Sequence, residues 1–390
     1  MPVSRRITEL MKGSSWIRKM FEEGARLKAE LGAENVFDFS LGNPVLEPPP
    51  EVHEAFRAAL DEGTPGRHRY MPNAGFPDVR ARVAEHLTGD FGVAFTAERV
   101  LMCVGAGGGL NVVFKALLDP GDEVVVLAPY FPEYQFYVDN HDGKIVPVPT
   151  TREFQPDLEA IGSALTERTA AVLINSPNNP TGAVYEQETL EKLGEVLRRH
   201  GRISGRVPYL VSDEPYRRIL FDGRTPASAF RGYEATILVS SHSKDLAIPG
   251  ERIGVIALGP DCPDGAAIFG ACTFANRTLG FVNAPALQQR AVGRLQGRTV
   301  DPGVYEAKRN RFHAALSGMG YEIVRPGGAF YMFPRAPGGD DIAFVQRLQK
   351  ERILVVPGSG FGTPGGFRVS YCVTDREIEG ALAGFERALG

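Results

Sequence analysis

At 390 residues the chain exceeds the roughly 250–300 at which a single hydrophobic core stops growing, so two domains sharing an interface are expected. Its 43% hydrophobic and 23% charged residues are the balance of an ordinary globular protein, which argues against a disordered or fibrous chain. A net charge of −4 with no block of Lys or Arg excludes the concentrated basic surface that nucleic acid or an anionic membrane needs.

The first segment, MPVSRRITELMKGSSW, is positively charged but has no apolar stretch and no small-residue cleavage site, which favours a cytoplasmic protein. No window reaches the run of about 20 apolar residues that spans a bilayer. Gly42-Asn43-Pro44 through Pro48-Pro49-Pro50 reads as a rigid, extended link after an N-terminal arm. From about residue 96, short β-branched runs alternate with helical patterns. Strands are expected at 99–104, 123–127, 171–174, 209–211, 237–239 and 253–258. Several are nearly continuous in Val, Ile and Leu, as in strands covered by helices on both faces. Between them, 186–200 places Leu190, Leu193, Val196 and Leu197 on one helical stripe. This alternation predicts an α/β domain with a mainly parallel sheet.

After about residue 290 the pattern changes. A charged helix at 304–319 is followed by strands at 321–324 and 329–333, a helix at 341–351, strands at 353–356 and 367–372, and a last helix. These predict a smaller α+β domain. The expected division is an arm, 1–45, joining the small domain, a large domain, 46–290, and a small C-terminal domain, 291–390. Cys103, Cys262, Cys272 and Cys372 form no CxxC pair and no ligand spacing with histidine, so buried thiols are expected and no metal site.

Ligands of parallel α/β sheets bind outside the carboxyl ends of the strands, and there the chemistry collects. Gly105-Ala106-Gly107-Gly108-Gly109 follows the first strand and opens a helix, so backbone N–H groups and a helix N-terminus can meet an anion. The next strand ends carry Asn175 through Gly182, then Ser212 through Tyr216, then Ser240 through Lys244, with Arg252 just before the last strand. Singly, each has a plainer meaning: a turn, a helix N-cap at Asp213, a solvated lysine, half of a surface ion pair. Together they supply what pyridoxal phosphate (PLP) demands. A lysine amine can bond its aldehyde, a carboxylate can keep its ring nitrogen protonated, and N–H groups, hydroxyls and an arginine can hold its phosphate.

These blocks resemble the class I/II aminotransferases of PLP fold type I, aspartate-aminotransferase-like, over essentially the whole chain. SHSKDLAIPGERIG (241–254) is similar to the family's S-x-S-K followed by G-x-R-x-G. SPNNPTG (176–182), SDEPY (212–216), YMPNAG from Tyr70, PGDEVVVLAPYFPEY (120–134) and FRVS (367–370) complete the order. The resemblance implies a PLP-dependent aminotransferase moving the α-amino group of an L-amino acid to a 2-oxo acid such as 2-oxoglutarate. Lys244 would bond the cofactor and then shuttle the substrate proton. Asp213 would pair with the ring nitrogen, Asn179 and Tyr216 would bond the 3-oxygen, and Phe131 would stack on the ring. Gly105, Ala106, Gly107, Ser241, Ser243 and Arg252 would hold the phosphate, joined by Tyr70 from a partner subunit, which implies a homodimer. Arg368 would clamp the substrate carboxylate with Asn179 and the backbone at Gly42.

Two departures bear on specificity. Where some acidic-substrate relatives carry a lysine in the phosphate cradle, this chain has Gly107, and its arm offers Ser15, Trp16 and Ile17 to close over a side chain. Arg277, in a stretch (273–284) that resembles a subunit-crossing strip, is a candidate for the missing charge. A PLP-dependent C–S β-lyase is the alternative within the cofactor class, since the Lys244–Asp213 pair serves both chemistries. A dinucleotide enzyme fails on spacing: G-x-G-x-x-G from Gly105 needs glycine where Leu110 stands. A non-catalytic ligand sensor lacks any basic segment to support it.

Overall fold

The valine-rich runs become strands because both of their faces find cover. In the computed structural model, which describes residues 3–12, 16–63 and 65–390, seven strands form one sheet. They are β1 (Val100–Cys103), β2 (Glu123–Ala128), β3 (Lys144–Pro149), β4 (Thr169–Asn175), β5 (Tyr209–Asp213), β6 (Thr236–Ser241) and β7 (Gly254–Leu258). Their order is β1-β7-β6-β5-β4-β2-β3, and β7 alone runs against its neighbours, so the sheet is mainly parallel as expected. Alternate residues of β2 serve different cores: Val124 and Val126 join one apolar cluster, Val125 and Leu127 another. Burying a side chain of this size stabilises by about 1.5–3 kcal/mol, which is why no polar residue interrupts these runs.

Helix α1 (Gly105–Leu117) follows β1, α2 (Glu133–Asp139) follows β2, and α3 (Gln187–Ser204) follows β4. The stripe of α3 buries Leu190, Leu193 and Leu197, as its spacing predicts. A separate cluster gathers Phe39, Tyr321, Phe344, Phe367 and Phe385 around a three-stranded sheet, β8 (Tyr331–Met332), β9 (Val356–Pro357) and β10 (Phe367–Ser370), in the order β9-β10-β8. The strand Phe37–Asp38 pairs in parallel with Ile353–Leu354, tying the N-terminal segment to this C-terminal region.

Three details differ from expectation, the first being that the strand expected at 353–356 is split, Ile353–Leu354 pairing with Phe37–Asp38 and Val356–Pro357 with β10. Residues 321–324 form no strand; Tyr321 turns its ring into the aromatic cluster and its hydroxyl to Phe385 O (2.9 Å), while Glu322 O accepts one bond from Arg335 N. Packing there replaces laddering, and Pro326 beyond offers no N–H to extend one. Strand β3 is the third difference, because Pro147 and Pro149 speak against a strand. It sits at the sheet's edge, where missing N–H groups face outward and proline is tolerated. All four cysteines are free and buried.

Candidate active site

The cavity opens where β1, β4, β5 and β6 end. It measures about 290 Å³ and is lined by residues from those ends, from the segment at Gly42 and from β8 and β10. Gly105 starts α1 with φ of 66°, a left-handed backbone that favours glycine, and a Cβ there would lie 2.8 Å from Arg252 Nη2. A Cβ on Gly107 would lie 2.8 Å from Tyr137 Oη. The absence of side chains at these two positions is what lets the guanidinium and the phenol reach the helix N-terminus. Ala106, Gly107 and Arg252 line the cavity; Gly105 stands behind them against Arg252. Ser241 and Ser243, both buried, join through their hydroxyls at 3.1 Å on the same rim.

Asp213 ends β5 in register with Asn175 of β4, whose Nδ2 donates to Asp213 O at 2.8 Å. Asn175 Oδ1 in turn accepts from Asn179 N at 2.7 Å, fixing the turn that carries Asn179. The Asp213 carboxylate is 5% exposed; Oδ2 accepts from Tyr134 Oη at 2.5 Å, while Oδ1 has no partner. Burial pushes its pKa up to about 7, against the opposing bond from Tyr134. Lys244 Nζ donates to Gly42 O at 2.8 Å, and burial draws its pKa down to about 8, with Arg252 and Arg368 adding to the fall. Arg368, 2% exposed, donates to Asn179 Oδ1 at 3.0 Å and to Ser40 O. Its guanidinium lies between the rings of Tyr331 (4.8 Å) and Phe361 (4.9 Å), its Nε has no partner, and among the described residues no carboxylate pairs with it. Such an acid, base and amine in one cavity can hold an anionic amino acid and move its protons.

Gly42, Ala106, Gly107, Phe131, Asn179, Asp213, Tyr216, Ser241, Ser243, Lys244, Arg252 and Arg368 therefore meet in one place. Tyr70 does not: it is 90% exposed and lines no part of this cavity. Trp16 packs against Gly360, outside the lining, and Arg277 is exposed over the Phe274 ring at 5.1 Å. Ser15 lies outside the described residues, as does the side chain of Ile17. Sequence reasoning missed Tyr134, Tyr137 and Tyr331, which line the cavity. Tyr134, in the same PYFPEY run as Phe131 and meeting its ring edge-on at the start of α2, could have been found there. Nothing local marks Tyr331, whose place depends on β8 pairing with β10.

A mainly parallel sheet with an amine, a carboxylate and a glycine-opened helix N-terminus at its strand ends is the arrangement of a fold type I transferase. The family model for aminotransferase class I and II matches residues 34–385, and the chain belongs to that family. It is an enzyme, an aminotransferase, and members of this family use PLP. Over 358 residues it is 36% identical to the aspartate/prephenate aminotransferase of Thermus thermophilus, covering 90% of each chain. It is 30% identical to the aspartate aminotransferase of Bacillus subtilis, covering 90% of this chain and 91% of that one. Among solved structures, an aminotransferase from Eubacterium rectale superposes with a TM-score of 0.96 at 37% identity, over 100% of this chain and 98% of that one. Thermus thermophilus aspartate aminotransferase with maleate gives 0.87 at 31%, over the whole of both chains.

Proposed function

We propose that this aminotransferase binds PLP through Lys244 and moves the α-amino group of an L-amino acid to a 2-oxo acid. The observation that carries the reading is the unpartnered Asp213 Oδ1, a buried carboxylate oxygen in the same cavity as a lysine whose pKa burial lowers. A buried charge without a partner is costly, and a pyridinium N–H would supply one. The glycine cradle beside Arg252 suits a phosphate by the same logic.

When bound, PLP supplies an aldehyde that bonds amines and a ring that accepts electrons from the substrate Cα. Arg368 binds the substrate carboxylate, and its place between two rings fixes the guanidinium plane for a bidentate contact. Once the substrate amine has displaced it from the aldehyde carbon, Lys244 Nζ, its amine eased toward neutrality by burial, would take the Cα proton and deliver it to that former aldehyde carbon. Asp213 would hold a proton on the ring nitrogen, with Tyr134 donating to the other carboxylate oxygen. Phe131 and Tyr137 cover the cavity wall against water.

Tyr70, exposed here, is proposed to complete the phosphate site of a second copy in a homodimer, with the division into arm, large domain and small domain as expected from the sequence. A cytoplasmic location is proposed as well; no helix among the described residues is long and apolar enough to cross a membrane. The names of the relatives make dicarboxylic and prephenate-like substrates the first to test. Protein supplied with the cofactor is titrated with aspartate, phenylalanine, methionine and alanine while its visible spectrum is followed. Bleaching of a yellow band by one of them, restored by 2-oxoglutarate, is the expected result. A colourless protein, or ammonia release without any need for an oxo acid, would contradict it.

A further inference from the structure

Tyr216 Oη lies 2.9 Å from Tyr331 Oη, both side chains are buried, and their rings meet edge to face at 5.7 Å and 82°. A phenol has one proton to give. If Tyr216 points its proton into the cavity, its oxygen must accept from Tyr331, and if it donates to Tyr331 it has nothing for the cavity. The surroundings constrain Tyr331 closely. A Cβ on Gly42 would collide with its hydroxyl, Arg368 stacks on its ring at 4.8 Å, and β8 pairs it with Ser370.

We propose that Tyr331 is a positioning residue, donating its hydroxyl proton to Tyr216 Oη so that the Tyr216 proton is held toward the cavity. This rests on the proposed function, in which the cavity takes PLP with Tyr216 at its 3-oxygen. Hydrogen bonds in a chain polarise one another, so a Tyr216 that accepts is also a better donor. Burial raises the pKa of both phenols, Tyr331 to about 12, so both protons are in place at neutral pH. The titratable and charged groups that act on the pair are Arg368 and Cys372, Tyr134 from α2, Tyr371 beyond β10 and, from the helix Pro302–Gly318, Tyr305, with Lys244 next to Cys372. The same Gly42 that crowds Tyr331 accepts from Lys244 Nζ, so the phenol pair and the amine share one wall.

The test is a pH titration of the visible band of the cofactor-loaded protein. A donor to the 3-oxygen favours the deprotonated form of the lysine-bound chromophore, so Tyr331→Phe should raise its apparent pKa by about 0.3–1 unit. Tyr216→Phe should raise it further, and adding Tyr331→Phe to that variant should change nothing more, because the one acts through the other. Difluorotyrosine in place of Tyr331, a stronger acid of similar shape, should shift the pKa downward and carries the test should the phenylalanine variant fail to load. An unchanged pKa in Tyr331→Phe, or an equal shift in the Tyr216→Phe background, overturns the inference. A wild-type protein that acquires no visible band would instead overturn the functional reading.

Discussion

Asp213 and Glu214 are consecutive carboxylates at the end of β5, both about 95% buried, yet their surroundings differ in kind. Glu214 faces a small polar pocket, where it accepts from Ser212 Oγ at 2.6 Å and from Arg217 Nη1 at 2.8 Å. Arg217 also reaches Ala227 O and Asp90 O and stacks on Phe91 at 3.6 Å. Acid and base there answer each other. On the cavity side Asp213 keeps a bare oxygen and Arg368 has no carboxylate among the described residues. Folding does not leave such pairs unmatched without a cost of several kcal/mol. The closed pair is structural; in the function proposed above, the cofactor's ring nitrogen would answer Asp213 and the substrate's carboxylate would answer Arg368.

The contrast is broken most directly by neutralising each acid. Asp213→Asn should lower kcat/KM roughly 10³-fold while leaving the thermal stability of the cofactor-free protein unchanged or higher. Glu214→Gln strands Arg217 and should cost about 3 kcal/mol in chemical denaturation, with a far smaller loss of turnover in the protein that remains folded. The reverse pattern would mean that the two roles are exchanged. Next in size, Arg368→Lys keeps the charge but loses the planar fork, so KM for the amino acid should rise roughly 10–100-fold with a smaller change in kcat, read by steady-state kinetics.

A pH series sharpens the comparison further. Asp213 has a folded pKa near 7 against 3.8 for the free group, so between these values the native state binds more protons than the unfolded chain. The contribution of Asp213 to the stability of the cofactor-free protein should therefore fall as pH rises from about 4 to 7, by up to about 4 kcal/mol. Melting curves measured as the difference between wild type and Asp213→Asn should show this contribution, reduced by bound cofactor, while the raised pKa of Glu214 leaves its own slope in both proteins. The smallest effect is expected of Tyr134→Phe, which takes one bond from the carboxylate and should cost about 1–2 kcal/mol of transition-state stabilisation, some 5–30-fold in kcat.

The strand ends were legible in the sequence because strands buried on both faces are written in runs of Val, Ile and Leu, and the residues just beyond each run must lie at the rim. That logic reached Lys244, Asp213, Asn179 and Arg252 without knowledge of the packing. It could not reach Tyr331, whose hydroxyl meets Tyr216 across 115 residues of chain. Position after the strand does not by itself separate Asp213 from Glu214; the resemblance of SDEPY (212–216) to the family singled out Asp213, and Arg217, which pairs with Glu214, is what sets the two apart in the fold. The missing strand at 321–324 and the unforeseen edge strand β3 have a common cause. Alternation and proline describe what a backbone tends to do, whereas the aromatic cluster and the position at the sheet edge decide what it does.

The central claim is a covalent one at a single nitrogen. Protein loaded with PLP is reduced with borohydride, digested and mapped by mass spectrometry. A pyridoxyl group on Lys244 Nζ, lost in Lys244→Ala together with measurable steady-state turnover, is the expected result; a stable adduct elsewhere, or none with the cofactor bound and activity intact, would contradict it.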